Sequence, residues 1–227
     1  MNQAQTQAQT ESKLYTFDEF IEWYPENSEV QYELYDGVIV EMPKPRGQHS
    51  KLTGSLIEKL LIAIREMGKG DIWTIPRESI VKPYRDKSGY EPDIIILDEE
   101  TISTETRWEA ESVIQNATSV KLIVEVVSSN WQDDYYDKRR DYVRGASRRE
   151  GMGIPQYWIV DYAALGGREY IGYPKQPTIF VYELIDGEYV KTTFRENDLI
   201  KSPTLSQLNL TAQQIFDLAL KTGNAEA

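Results

Sequence analysis

Apolar and polar residues follow two rhythms along the chain, and together these predict interleaved strands and helices. The segment HSKLTGSLIEKLLIAIREMG (49–68) has helical spacing. Leu52, Leu56, Leu60 and Ile64, with Ile57 and Leu61, form one apolar stripe that Gly68 and Gly70 end. YTFDEFIEWY (15–24) predicts a short helix with Thr16 as its N-cap and Glu19 three residues on. QYELYDGVIVEMP (31–43) alternates around Asp36-Gly37, the signature of a tight hairpin. In it Tyr32, Leu34 and Val38 share apolar character and Glu33 faces away. Strand patterns recur at 71–83, 90–100, 119–129 and 153–162, and a second hairpin falls at 177–195. Helices are expected over about 131–145, where Ser128, Ser129 and Asn130 offer caps, and over 210–221. The expected fold class is α/β (α+β), a mixed β-sheet flanked by helices with a hairpin toward each end.

At 227 residues this is most simply one domain, placed at 13–222. The first twelve residues, MNQAQTQAQTES, read as a disordered polar lead, and 223–227 as a flexible tail. No apolar run approaches the roughly 20 residues of a membrane span, and the lead lacks the apolar core of a signal peptide. The absence of cysteine removes disulfides, thiolate zinc sites and a cysteine nucleophile, which fits a cytoplasmic protein. A net charge of −12 weighs against non-specific coating of nucleic acid. It leaves room for a local basic surface, and KRRDYVRGASRR (138–149) carries six basic residues against one Asp. That stretch is either a solvated helix face or a phosphate-binding strip.

One residue breaks the apolar rhythm. Glu125 interrupts LIVEVV, in the most apolar strand of the chain. An unpaired buried carboxylate costs several kcal/mol, so it must be paired, protonated or bound to a cation. Strand alternation places Glu125 and Val127 on one face and Val124 and Val126 on the other. Asp93 opens the apolar run IIIL behind Pro92. If the two strands are neighbours, both carboxylates converge. With the backbone carbonyl of Val126 and waters they form an oxygen-only set suited to Mg²⁺ or Mn²⁺. The competing readings are a buried ion pair for Glu125 and a strand cap for Asp93. Lys138 has two readings as well: an exposed i,i+4 pair with Asp134, or an ammonium that the following helix carries back over the sheet. Asp133, Asp134 and Asp137 read as favourable charges near a helix N-terminus.

The stretches YELYDGVIVEMP, a His opening a helix (His49), EPDIIIL, IVEVVSS, Asp134-x-x-x-Lys138-x-x-x-Tyr142 and GIPQYWIVDY occur in that order. Over roughly 15–195 the chain thereby resembles a large bacterial family of restriction endonucleases of the PD-(D/E)XK superfamily. The resemblance implies a restriction-endonuclease-like core with Asp93 and Glu125 as metal ligands. Lys138 would be a migrated catalytic lysine, since Val127 stands where a strand lysine is usual. It also puts Glu33 and His49 near the site. The implied activity is Mg²⁺-dependent endonucleolytic hydrolysis of DNA, with a homodimer suggested by analogy. The alternative is a nuclease-fold module that binds nucleic acid or protein without cutting. One departure from the family pattern is the inserted GASRREGM (145–152), which lengthens a basic loop beside the expected site.

Overall fold

In a computed structural model, residues 13–26, 28–143 and 151–220 are described. The expected polar lead (1–12), the tail (223–227) and most of the GASRREGM insertion lie outside the described residues. In chain order, helix α1 (Phe17–Trp23) precedes the hairpin β1 (Tyr32–Tyr35) and β2 (Val38–Glu41), and then α2 (Gly47–Glu66). Next come β3 (Trp73–Thr74), β4 (Ile80–Val81), β5 (Ile94–Asp98), α3 (Glu99–Ile102), α4 (Trp108–Glu111), β6 (Val113–Ile114) and β7 (Val120–Val126). A π-helical stretch, Asp133–Lys138, continues into α5 (Arg139–Val143). The chain finishes with β8 (Gln156–Asp161), α6 (Arg168–Ile171), β9 (Thr178–Ile185), β10 (Glu188–Phe194) and α7 (Ala212–Leu220).

The main sheet has six strands in the order β10-β9-β8-β7-β5-β3, antiparallel throughout except for the parallel pair β7–β8. A parallel pair requires a crossover, and the π segment with α5 supplies it. Alternation along β7 divides the core. Leu122, Val124 and Val126 pack with Leu52, Leu56, Leu60 and Ile64 of α2 and with α7. Ile123 and Val127 pack with Tyr135 and Tyr142 of the crossover. Glu125 therefore points to the crossover side, where Lys138 returns.

The mixed sheet, flanking helices and two hairpins match the expected class. The differences are local. The strand material predicted over 71–83 resolves into two short strands in separate sheets, with β4 pairing in parallel with β6. Val38 pairs with Tyr35, so it lies on the face of Glu33 rather than that of Leu34, and it is exposed. A two-residue turn joins positions of equal parity to partners of opposite parity, which is why Ile39 is the one that opposes Leu34.

The crossover departs from an α-helix because its carbonyls have other partners. Tyr157 Oη donates to the Asp134 carbonyl at 3.1 Å, and Arg139 Nε donates to that of Tyr135 at 2.7 Å. A π turn frees carbonyls from the usual i,i+4 pattern, and such turns concentrate at functional sites.

Candidate functional site

Five of the sequence-singled groups meet at one end of β7. Strand β5 pairs antiparallel with β7 through Ile94 and Val124, which puts Asp93 across from Glu125. Pro92, lacking an N–H, stands just before that point. The Asp93 side chain takes over where the ladder stops: its Oδ2 accepts the Val126 N–H at 2.7 Å. Its own N–H lies 3.5 Å from Glu125 Oε2. His49, in the first turn of α2, places Nε2 2.9 Å from the Val126 carbonyl and 3.3 Å from Asp93 Oδ1. The side chain of Asp93 is 23% exposed, whereas Glu33, Glu125, His49 and Lys138 are buried.

Lys138 settles the question of the displaced lysine in favour of burial. Its Nζ lies 3.0 Å from Glu33 Oε1, 3.3 Å from Glu125 Oε2 and 3.9 Å from Asp134 Oδ1. The pair of Lys138 with Asp134 is buried, which corrects the exposed reading; Asp134 does lie in the first turn of the helical segment, and it too is buried. Glu33, which strand alternation turns away from the apolar face of the hairpin, is buried too. The helical spacing of Asp134 and Lys138 was the signal for this cluster, but spacing alone does not report depth.

Burial opposes charge on Lys138, yet Glu125, Glu33, Tyr35 and Asp134 together hold its ammonium well above the usual lysine range. It is a fixed cation. Burial, reinforced by Asp93 and the other acids, pushes Glu125 up despite Lys138. The same forces push Asp134 up to about 8. For His49, burial favours the neutral ring, but the Asp93 hydrogen bond and charge outweigh it and shift the imidazole upward.

The first part of the basic stretch is spoken for. Arg140 pairs with Asp141 at 2.8 Å and with Asp137 at 3.2 Å, and Arg139 bonds a backbone carbonyl. Lys138 and Arg140 thus face acids, and 144–149 lie outside the described residues.

The oxygen set expected around a cation can be tested against these contacts. Glu125 Oε1 is buried without a hydrogen-bond partner. Asp93 Oδ1 and the Val126 carbonyl both face the same ring nitrogen. Among the described residues no three His, Cys, Asp or Glu side chains form a metal-holding group by themselves. Two carboxylates and a carbonyl fit an ion that keeps several waters, as Mg²⁺ does.

Beside the site lies a cleft of about 1100 Å³, bordered by Gln31, Glu41, Lys44, Ser50, Glu78 and Glu91 among others. Along it Gln31 Nε2 donates to Glu91 Oε1 at 2.7 Å. Burial, then repulsion by Glu33 and Glu78, pushes Glu91 up to about 7. An acid whose folded value is raised loses stability as pH climbs from its unfolded value near 4.5 to about 7. Glu91→Gln is accordingly expected to stabilise the protein by about 1–3 kcal/mol at pH 8 and to be near neutral at pH 4.5. Urea unfolding at the two pH values checks this.

The six-stranded sheet, the crossover helix and the acids gathered at the end of β7 define a restriction-endonuclease-like protein. The chain belongs to the Uma2 family, described as "putative restriction endonuclease", whose match spans residues 17–213. It is similar in fold to the crystal structure of a protein from Anabaena variabilis ATCC 29413 described as a "putative nuclease belonging to DUF820". The TM-score is 0.65 and the identity 20%, over 90% of this chain and 99% of that one. No curated protein matches the chain. Among the described residues no helix is long and apolar enough to cross a membrane.

Proposed function

We propose that this protein is a divalent-metal-dependent endonuclease that hydrolyses phosphodiester bonds in DNA. The observation that carries the reading is the meeting of Asp93, Glu125, the Val126 carbonyl, His49 and a fully charged Lys138 at one point. Asp93, Glu125 and the Val126 carbonyl would hold Mg²⁺ or Mn²⁺, an all-oxygen set that such ions prefer. When bound, the ion supplies Lewis acidity toward the phosphate and makes water more acidic.

The chain's own groups divide the remaining work. Lys138, held as a cation, cannot accept a proton. It instead orients the attacking water and offsets negative charge building on the phosphate as the P–O bond breaks. His49 fixes the Val126 carbonyl and one oxygen of Asp93. Helix α2 begins beside these groups with Arg46 at its N-cap, no side-chain cap bond and no acidic residue in its first turn. Such an end favours an anion.

Supercoiled plasmid incubated with the purified protein and Mg²⁺ or Mn²⁺ tests the reading. Cleavage is expected with wild type, and Asp93→Asn and Glu125→Gln are expected to lower it by about a hundredfold or more. Cleavage that persists in both variants would assign the activity to a contaminant.

One observation favours the second reading, a nuclease-fold binding module. Lys138 and His49 already stand against oxygens of Glu125 and Asp93, so the acids have protein partners without a metal. Calorimetry separates the two: no heat with Mn²⁺, together with unaltered DNA binding by Glu125→Gln, would select the module.

A further inference from the structure

We propose that Tyr35 is a positioning residue that commits Glu33 to the ammonium of Lys138 and so fixes that ammonium against Glu125. Its kinetic consequence rests on the nuclease reading above; the positioning itself does not. Every contact of Glu33 is accounted for. Oε2 accepts the Tyr35 hydroxyl, and Oε1 accepts the Glu91 N–H at 2.9 Å and Lys138 Nζ at 3.0 Å. With Tyr35 on one oxygen and Lys138 and the Glu91 N–H on the other, Glu33 serves as the counter-ion of the lysine.

The parity of β1 makes this possible, since positions 33 and 35 share a face. The hairpin β1–β2 stands outside the main sheet. It is tied to the rest near the site by the paired backbone bonds of Leu34 and Gly89 and by the Glu91 N–H. The Tyr35 ring leans on Tyr90 with centroids 5.0 Å apart, and Tyr90 is itself anchored by donating to Asp141 at 2.8 Å. Burial, despite the nearby Lys138, keeps the Tyr35 phenol far above its ordinary range, so it remains an O–H donor. Of the three carboxylates around Lys138, only Glu33 is held by two donors other than the lysine.

Tyr35→Phe removes the hydroxyl and keeps the ring on Tyr90. In protein labelled with ¹⁵N-lysine, the Lys138 ammonium is expected to give a slowly exchanging signal, identified by its loss in Lys138→Met. That signal is expected to vanish from the slowly exchanging set in Tyr35→Phe and in Glu33→Gln. The kcat for cleavage is expected to fall about ten- to a hundredfold with KM little changed, the usual effect of removing an outer partner. Added to Glu33→Gln, Tyr35→Phe is expected to cost nothing more.

An unaltered Lys138 signal in Tyr35→Phe would overturn the proposal, as would fully additive losses in the double variant. Loss of the signal in a protein whose wild type cleaves nothing would support the positioning and reject the nuclease reading. Should Tyr35→Phe fail to fold, Tyr35→His keeps a ring donor and is expected to retain the signal; its loss there overturns the proposal.

Discussion

Lys138→Met is expected to slow metal-dependent plasmid cleavage by about 10²- to 10⁴-fold while leaving DNA binding largely intact. Methionine preserves most of the aliphatic stem, so the change isolates the ammonium. That ammonium lies within 3.0–3.9 Å of three buried carboxylates, and no other lysine or arginine pairs with Glu125 or Glu33 among the described residues. Removing it also strands charge. Breaking one partner of a buried pair costs about 3–5 kcal/mol, against a few tenths for an exposed helical pair. The pH dependence follows from the raised lysine. Its contribution is fully present below the unfolded value near 10.5 and is lost only above it. Across pH 5–9 the wild type keeps this stabilisation and the variant lacks it. The variant's deficit is expected to narrow toward pH 5, where the stranded acids take up protons. Cleavage rates and urea midpoints at pH 5 and pH 8 measure both effects, and a deficit below 0.5 kcal/mol would mean an effectively exposed lysine.

The parts of this site that were legible from sequence are those set by local periodicity. The apolar stripe of α2, the Asp-Gly hairpin and the period-two pattern of β7 follow from local rules. Parity in β7 alone puts Glu125 opposite the face that packs on α2. Depth was harder to read. Glu33 looks like an outward strand residue because one face of β1 is plainly apolar. In the fold both faces are covered, one by Phe17 and Phe20 and the other by Lys138. The cations at 138–140 resemble a solvated face, yet their partners come from distant segments or from the same helix. The π turn has no sequence signature, since it depends on Tyr157, which arrives from β8. Only the i+2 relation to Glu33 marks Tyr35 in the sequence, and nothing local marks Glu33 as buried. Each miss is a tertiary contact overriding a local pattern.

The acidic connector 99–111 hides one more such case, with an expected loss of stability as large as that of Lys138→Met. Glu105 is buried, and its carboxylate accepts four hydrogen bonds: from Gln115 N–H at 3.0 Å, Asn116 N–H at 2.9 Å, Asn116 Nδ2 at 3.0 Å and Ser119 Oγ at 2.8 Å. These donors line the loop that delivers the chain into β7. Each buried donor left without an acceptor costs about 1–3 kcal/mol, less where water can enter. Glu105→Ala is therefore expected to cost about 3–5 kcal/mol, a large share of the roughly 5–15 kcal/mol that hold a domain folded. Glu105→Gln keeps one acceptor oxygen but turns an NH₂ toward N–H groups, so an intermediate loss is expected. Urea unfolding measures both, with an unchanged m value marking a loss of native stability alone. Hydrogen exchange localises it. Amides of Gln115–Leu122 should exchange faster in Glu105→Ala than the global loss requires, while those of β9 and β10 should follow the global value. Uniform acceleration would show that the loop unfolds only with the whole domain, and that Glu105 is not what seats the strand bearing Glu125.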